Sequence, residues 1–259
     1  MRGEAMKGRK DRDYRRFEGL TFEDFKRLAV DPSLSRHEKI GFPNDYREGY
    51  EEAIFEDIVL KIGSLSQSGK TLMDLGCGCS GLAFMIIKQC QKTGNTLLMV
   101  DSDEMLSMLP DKPFIKKYPC RFPDCPELLD EYFGRVDGIL VYSVLQHVFL
   151  DGNIFDFIDR ACELLADGGE LLLGDIPNIS KRKRFFSSDA GIKFHREFMG
   201  TDETPRVDHL VNEPGKIDDG VVFGIMQRYR AFGFDTYLLP QNPQLPFANR
   251  REDVLISKP

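Results

Sequence analysis

The sequence predicts an α/β fold, a Rossmann-like doubly wound sheet of seven strands with helices on both faces. From residue 71 onward, short apolar runs alternate with amphipathic helices, which is typical of parallel strands joined by right-handed crossovers. Runs without polar alternation indicate strands that are buried on both faces. Five runs of this kind are expected to be strands: Thr71–Leu75, Thr96–Val100, Phe114–Tyr118, Gly138–Tyr142 and Glu170–Gly174.

The last two strands, Thr236–Leu239 and Asp253–Ser257, are predicted to form an antiparallel pair. The segment between them, residues 240–250, contains three prolines and leaves no room for a crossover helix. The fold class is therefore a sheet whose last strand pair is antiparallel.

An N-terminal tail, a helical lead-in and one insertion complete the predicted organisation. Residues 1–20 are rich in Lys and Arg and are expected to be a flexible basic tail, ahead of a single domain over residues 21–259. Residues 21–65 read as a helical lead-in, with a helix capped by Thr21 and a second helix over residues 46–62. The weakly periodic segment 176–219, which follows the fifth strand, is expected to be a substrate lid or insertion.

Composition excludes several classes of protein. The 259 residues carry a net charge of −7, which is unlike a dedicated nucleic-acid binder. No run of 18 uncharged apolar residues and no signal-peptide pattern occurs, so no membrane partner is expected. The six cysteines lack the spacing of a zinc site, so we expect reduced thiols in a cytoplasmic protein and no metal. A homo-oligomer is compatible with the sequence.

A glycine-rich loop follows the first predicted strand and opens a helix, with Gly76, Gly78 and Gly81 at i, i+2 and i+5. Glycine permits the tight strand-to-helix turn and lets a ligand approach the backbone. Asp74, two residues ahead of the first glycine, would repel a diphosphate at this helix terminus and attract a cationic ligand. S-adenosylmethionine has an ammonium and a sulfonium and no phosphate, so the charge favours it over NAD.

Asp101 ends the second strand, where a carboxylate can accept both ribose hydroxyls of an adenosine. The alternative role for Asp101 is to cap the helix that follows.

With these features the sequence resembles the class I S-adenosylmethionine-dependent methyltransferases. The resemblance rests on DLGCGCSG, on VD at the end of the next strand, on VDGILVYSVLQHV and on LLADGGELLLGD, in this order. It implies six parallel strands and one reversed strand, with S-adenosylmethionine, or the product S-adenosylhomocysteine, across the carboxyl ends of the first strands.

The resemblance also implies the cofactor-binding residues. The residues implied to bind the methionine end of the cofactor are Asp74, Gly76, Cys77, Gly78 and Gly81. Asp101, with Ser102, is implied to bind the ribose. Val141, Tyr142 or Ser143 is implied to surround the sulfonium. The chain departs from the family after the third strand, where an acidic residue often lies near the adenine. Either Asp124 or the backbone of Cys120 and Arg121 takes that place.

Three side chains are candidates for catalysis. His147, after the fourth strand, and His195, in the insertion, are each a candidate base for an acceptor that must lose a proton. His147 alternatively shapes the cofactor wall, and His195 alternatively lies on a solvated helix face. Asp175, with Asn178 nearby, either orients an acceptor hydroxyl or caps a turn.

A basic run, Lys181 to Arg184, is either a solvated surface or a patch that attracts an anionic acceptor. Residues 36–58 and 245–259 are similar to segments of bacterial methyltransferases of capsule and surface-polysaccharide pathways, which implies a sugar or sugar-linked acceptor. We therefore expect methyl transfer to a small molecule, first to a hydroxyl of a sugar or of a nucleotide-linked or phosphorylated metabolite. The alternatives are transfer to nitrogen, an RNA methyltransferase, a nucleotide-binding module without turnover, and an NAD oxidoreductase.

Overall fold

A seven-stranded sheet forms the centre of the protein, which we describe from a computed structural model over residues 14–43 and 47–259. The strand order is β3-β2-β1-β4-β5-β7-β6. The strand bounds are β1 Thr71–Leu75, β2 Thr96–Asp101, β3 Ile115–Pro119, β4 Val136–Tyr142, β5 Leu165–Pro177, β6 Asp235–Leu239 and β7 Arg251–Ser257.

Strand directions confirm the predicted fold class. Strands β1 to β5 pair in parallel, whereas β7 runs antiparallel to both β5 and β6. The predicted antiparallel last pair is confirmed. Strand β5 begins earlier than the apolar run suggested, because Leu165 already pairs with Val136 across a register shift. Asp167 to Gly169 therefore lie within β5.

Helices cover both faces of the sheet. Their bounds are α1 Phe22–Val30, α2 Arg36–Lys39, α3 Glu51–Lys61, α4 Gly81–Thr93, α5 Asp103–Leu106, α6 Pro126–Tyr132, α7 Leu145–Asp151, α8 Ile154–Leu164, α9 Ile179–Phe186, α10 Asp189–Met199 and α11 Asp219–Ala231. Successive strand residues point to opposite faces, so Leu97 and Leu98, both fully buried, belong to two separate apolar clusters.

The lead-in begins as the sequence predicts. The Thr21 hydroxyl accepts a hydrogen bond from the Asp24 N–H, and Asp24 bonds back to the Thr21 N–H. This reciprocal pair fixes the start of α1. The second helix, predicted over 46–62, begins at Glu51. The predicted tail, residues 1–20, lies largely outside the described residues, and Tyr14–Phe17 form one turn of 3₁₀-helix.

The insertion after β5 is more regular than predicted. It contains α9 and α10, and Asn178 caps α9 by accepting from the backbone N–H groups of Ser180 and Lys181. The remainder, residues 200–218, has no helix or strand. Along the described chain, no helix combines the length and the apolar composition that a membrane crossing requires.

Two of the six cysteines are not reduced thiols. Cys120 and Cys125 form a disulfide that closes the loop between β3 and α6. Cys77, Cys79, Cys90 and Cys162 are free. The expectation of reduced thiols was wrong for this pair because a separation of five residues, with the chain turning back into α6, brings the two sulfurs together.

Candidate active site

A cavity of about 320 Å³ lies at the carboxyl ends of β1, β2 and β4. This is the edge of a parallel sheet where the strand order reverses and where ligands of such folds bind. The lining comes from the lead-in, the loops after β1 and β3, the ends of β2 and β4, α5, α7 and the start of α8.

The glycine loop forms the floor of the cavity. Gly76 has a φ of +74°, and a Cβ placed there would lie 2.5 Å from Cγ2 of Val144. Gly78 has a φ of +57°, and its N–H donates a 2.8 Å hydrogen bond to Oδ2 of Asp101. A side chain at either glycine would strain the turn and fill the approach to the backbone.

Asp101 lies between the glycine loop and the next helix. Its Oδ1 accepts a 2.7 Å hydrogen bond from the Ser102 N–H. Burial raises the pKa of Asp101 to about 6, although these two backbone hydrogen bonds oppose the shift. The helix cap is Ser102, whose hydroxyl accepts from the Met105 N–H, so Asp101 does not serve as that cap.

Asp74 lies behind the glycine loop rather than in the cavity lining. Burial, and secondarily the charge of Asp101, raises its pKa to about 8. The residues expected to bind the cofactor therefore divide into two groups. Gly76, Cys77, Gly78, Asp101, Cys120, Arg121, Tyr142 and Ser143 line the cavity, whereas Asp74, Gly81, Ser102 and Val141 do not.

The loop after β3 forms one end of the cavity. Cys120, Arg121 and Asp124 all line it, so both alternatives for the adenine contact are in place. The Cys120–Cys125 disulfide closes this loop, and the Arg121 guanidinium donates a 3.0 Å hydrogen bond to Oδ2 of Asp151 on α7.

The lead-in forms the roof of the cavity. Phe22, Phe25, Ile40 and Phe42 all face the space above the glycine loop. The segment 176–219, all of which is described, contributes no residue to the lining. Asn178, at the start of this segment, donates hydrogen bonds to Asp219 on α11 and Glu252 on β7, and the role of the segment as a substrate lid stays a prediction.

His147 lines the cavity beneath α1. Its Nδ1 lies 3.2 Å from the Leu20 carbonyl oxygen, and its ring meets that of Phe25 edge-on at 4.8 Å. Because a carbonyl only accepts, Nδ1 carries the proton and Nε2 keeps its lone pair. Burial lowers the pKa of His147 to about 4, so the ring is neutral at neutral pH.

Arg47, which the sequence reasoning missed, is the cation in the lining nearest the end of β4. Its Nη2 donates a 2.7 Å hydrogen bond to Oδ2 of Asp175 and a second one to Oγ of Ser143. Its guanidinium carbon lies 4.1 Å from the ring centre of Phe42 and 5.4 Å from that of Tyr142. No sequence motif marks this position, because Asp175, which Arg47 contacts, lies 128 residues further along the chain.

Asp175 does not line the cavity as the predicted orienting group. Its Oδ2 accepts hydrogen bonds from Arg47, Arg251 and Ser143, and its Oδ1 accepts one from Gln241. The prediction that it touches the acceptor is replaced by a positioning role, because these four donors engage the carboxylate. Ser143, directly after β4, and Asp175, near the end of β5, both have a positive φ, of 60° and 58°.

The other two sequence candidates also lie outside the cavity lining. His195 is on α10, with its ring 6.2 Å from that of Phe186. The basic run on α9 is held by its neighbours: Lys181 donates to the Arg251 carbonyl, Lys183 to the Val211 carbonyl, and Arg184 pairs with Asp219. Neither His195 nor this run is placed to meet a molecule in the cavity.

Solved structures similar to this chain are methyltransferases. The plantazolicin methyltransferase BpumL, in complex with S-adenosylhomocysteine and a triazolic desmethyl-plantazolicin analogue, is 11% identical over 92% of this chain and 98% of its own, with a TM-score of 0.54. The CurJ carbon methyltransferase is 14% identical over 90% of this chain and 63% of its own, with a TM-score of 0.54.

The methyltransferase domain of bacterial CtHen1 is 15% identical over 80% of this chain and 98% of its own, with a TM-score of 0.50. No family model matches the sequence, and no curated protein matches it. Together with the strand order and the reversed β7, these likenesses show that the chain has the Rossmann-like fold of the class I S-adenosylmethionine-dependent methyltransferases.

Proposed function

We propose that this protein is an S-adenosylmethionine-dependent methyltransferase that acts on a small acceptor. The observation that carries the proposal is the hydrogen bond from the Gly78 N–H to the Asp101 carboxylate. In this arrangement the backbone donor that a diphosphate would use is occupied by the Asp101 carboxylate, whereas Asp74, with a pKa raised to about 8 and a place outside the lining, does not supply the charge that the sequence suggested. A sulfonium-bearing nucleoside fits that charge pattern, and NAD does not.

The bound cofactor would supply a methyl group on an activated sulfonium carbon. The residues that would hold it are Gly76, Gly78 and Asp101 on the floor, with Cys120 and Arg121 at the adenine end. The chain itself supplies orientation and exclusion of water, because the aromatic side chains of the lead-in roof the cavity. Positioning alone can provide a large part of the rate in an in-line displacement.

The proposed acceptor is a small molecule, because aromatic side chains of the lead-in cover part of the cavity and narrow the space beside the glycine loop. Transfer to a hydroxyl would use a base, and His147 has the Nε2 lone pair for it, although its lowered pKa makes it a weak one. A sugar or a nucleotide-linked or phosphorylated metabolite of a bacterial polysaccharide pathway remains the predicted acceptor class. Transfer to nitrogen, which needs no strong base, is the second candidate.

Calorimetric titration tests the cofactor assignment. S-adenosylhomocysteine should bind the protein and NAD should not. Asp101→Asn should weaken the binding by roughly tenfold or more, the scale of a lost charged hydrogen bond. The matched control is Asp111→Asn, an exposed carboxylate outside the cavity, which should bind normally. Binding of NAD alone would overturn the proposal, and RNA binding with a steep salt dependence would favour an RNA methyltransferase.

A further inference from the structure

Arg47 is a buried cation with unused hydrogen-bonding capacity. It is 6% exposed, and Nη2 makes its two hydrogen bonds. Among the residues that the structure describes, Nη1 and Nε of Arg47 have no hydrogen-bond partner. Arg47 lines the cavity, and neither nitrogen is among the fully buried side-chain atoms that lack a partner, so these charged donors are accessible to a ligand in the cavity.

The surroundings hold this guanidinium in one orientation. Phe42 and Tyr142 stack against it, and the Asp175 carboxylate holds Nη2. Asp175 is shared with Arg251, whose Nη1 lies 3.1 Å from the same Oδ2, so one carboxylate serves two guanidinium groups. Because Nη2 belongs to both bidentate edges of a guanidinium and is engaged here, the fixed group offers an oxyanion a single charge-assisted hydrogen bond from Nη1 or Nε.

We propose that Arg47 binds a carboxylate or phosphate group of the methyl acceptor, so that the acceptor is a small anion rather than a neutral molecule. The anionic group accepts a hydrogen bond from Nη1 or Nε of Arg47, and the rest of the molecule lies among Phe22, Phe25 and Phe42. This inference rests on the proposed function, and it places the anion site in the cavity wall rather than at the basic run on α9.

The test uses the full chain saturated with S-adenosylhomocysteine and four probes. Benzoate and phenyl phosphate are the two oxyanion sources, and benzamide and phenol are their neutral counterparts. At least one anion should bind tenfold or more tightly than its neutral counterpart in a calorimetric titration. Tighter binding of benzoate identifies a carboxylate acceptor, and tighter binding of phenyl phosphate identifies a phosphorylated one.

Variants assign the preference to Arg47. Arg47→Gln should abolish the tenfold preference while S-adenosylhomocysteine still binds within about twofold, which also shows that the variant folds. Arg47→Lys should retain part of the preference, because it keeps the charge but not the planar guanidinium that Phe42 and Tyr142 hold in place. Arg182→Gln, on α9 outside the cavity lining, is the control and should bind all four probes normally.

Equal binding of anions and neutral probes, binding of none of them, or an anion preference that survives Arg47→Gln would overturn the inference. These outcomes leave the proposed function standing as long as S-adenosylhomocysteine binds. If it does not bind, the proposed function fails, and the same titrations with the cofactor-free protein still decide whether Arg47 holds an oxyanion.

Discussion

Arg47 Nη2 lies 2.7 Å from Asp175 Oδ2, and this ion pair ties the lead-in to the carboxyl end of β5. Both side chains are buried, so the pair joins two segments far apart in sequence where solvent does not screen the charges. The position of the roof over the cavity therefore depends on the charge at residue 175.

Removing that charge should destabilise the protein. Asp175→Asn leaves Arg47 and Arg251 without their carboxylate, and the loss of one partner of a buried pair costs roughly 3 kcal/mol of unfolding free energy. Urea denaturation measures the change. Glu163→Gln, which removes an exposed partner of Arg160, is the control and should change stability far less. Equal effects of the two substitutions would show that Asp175 does not hold the lead-in in place.

His147 should make stability depend on pH below neutrality. Burial lowers its pKa from 6.5 to about 4, so the unfolded chain binds the proton more readily than the folded protein does. Stability therefore rises with pH between about 4 and 6.5, by roughly 3 kcal/mol in total from this group.

To test this, the free energy of unfolding of the wild type and of His147→Asn is measured at pH 4.5 and at pH 7.5, and the two changes with pH are compared. Asn keeps a donor for the Leu20 carbonyl oxygen but does not titrate, so the variant should lose less stability on acidification. The difference also cancels the opposing contribution of Asp74 and Asp101, whose raised pKa values favour the folded state at low pH. An identical pH dependence in both proteins would contradict the burial of a neutral ring.

Cofactor affinity should fall in acid because of Asp101. Its pKa is raised to about 6, and only the ionised carboxylate can accept hydrogen bonds from both ribose hydroxyls. Below pH 6 the affinity for S-adenosylhomocysteine should drop by up to tenfold per pH unit, as the carboxylate takes up a proton. Titrations from pH 5 to pH 8 check this, and Asp101→Asn should bind weakly at every pH. If the affinity of the wild type for S-adenosylhomocysteine does not change with pH, Asp101 does not bind the ribose.

The Cys120–Cys125 disulfide should stabilise the adenine end of the cavity. Closing so short a loop removes chain entropy from the unfolded state, which contributes roughly 2 kcal/mol. Cys125→Ser, or reduction with dithiothreitol, should lower stability by that order and weaken S-adenosylhomocysteine binding, since the loop carries Cys120, Arg121 and Asp124. Cys162→Ser is the control, because Cys162 is a free thiol away from the cavity. Titration with Ellman's reagent before and after reduction should show two additional thiols.

The fold could be predicted from the sequence because its signals are local. Buried parallel strands appear as continuous apolar runs, and the proline-rich segment before β7 forbids a crossover helix. The glycine loop and Asp101 are local as well, since the turn that follows a strand needs glycine at Gly76 and Gly78. These residues line the cavity where the sequence placed them.

The residues proposed to contact the methyl acceptor could not be predicted, because they are far apart in the sequence and are brought together only by the tertiary structure. Arg47 has no motif, and its role depends on Asp175 and on Phe42 packing against it. His195 and the basic run were candidates because of their residue types alone. Residue type does not show whether α9 and α10 place these side chains at the cavity. Whether a charged residue is paired by a neighbour, as Arg184 is by Asp219, becomes visible only in three dimensions.

The roof of the cavity comes from the N-terminal part of the chain, whereas the carboxylate that fixes it belongs to a strand more than a hundred residues later. Contacts of such long sequence separation form late in folding, after the loop-closure entropy has been overcome. During synthesis α1 and Arg47 emerge before β4, β5 and β7, so they have no docking surface until these strands have assembled. We therefore expect the cover of the cavity to form only after this part of the sheet.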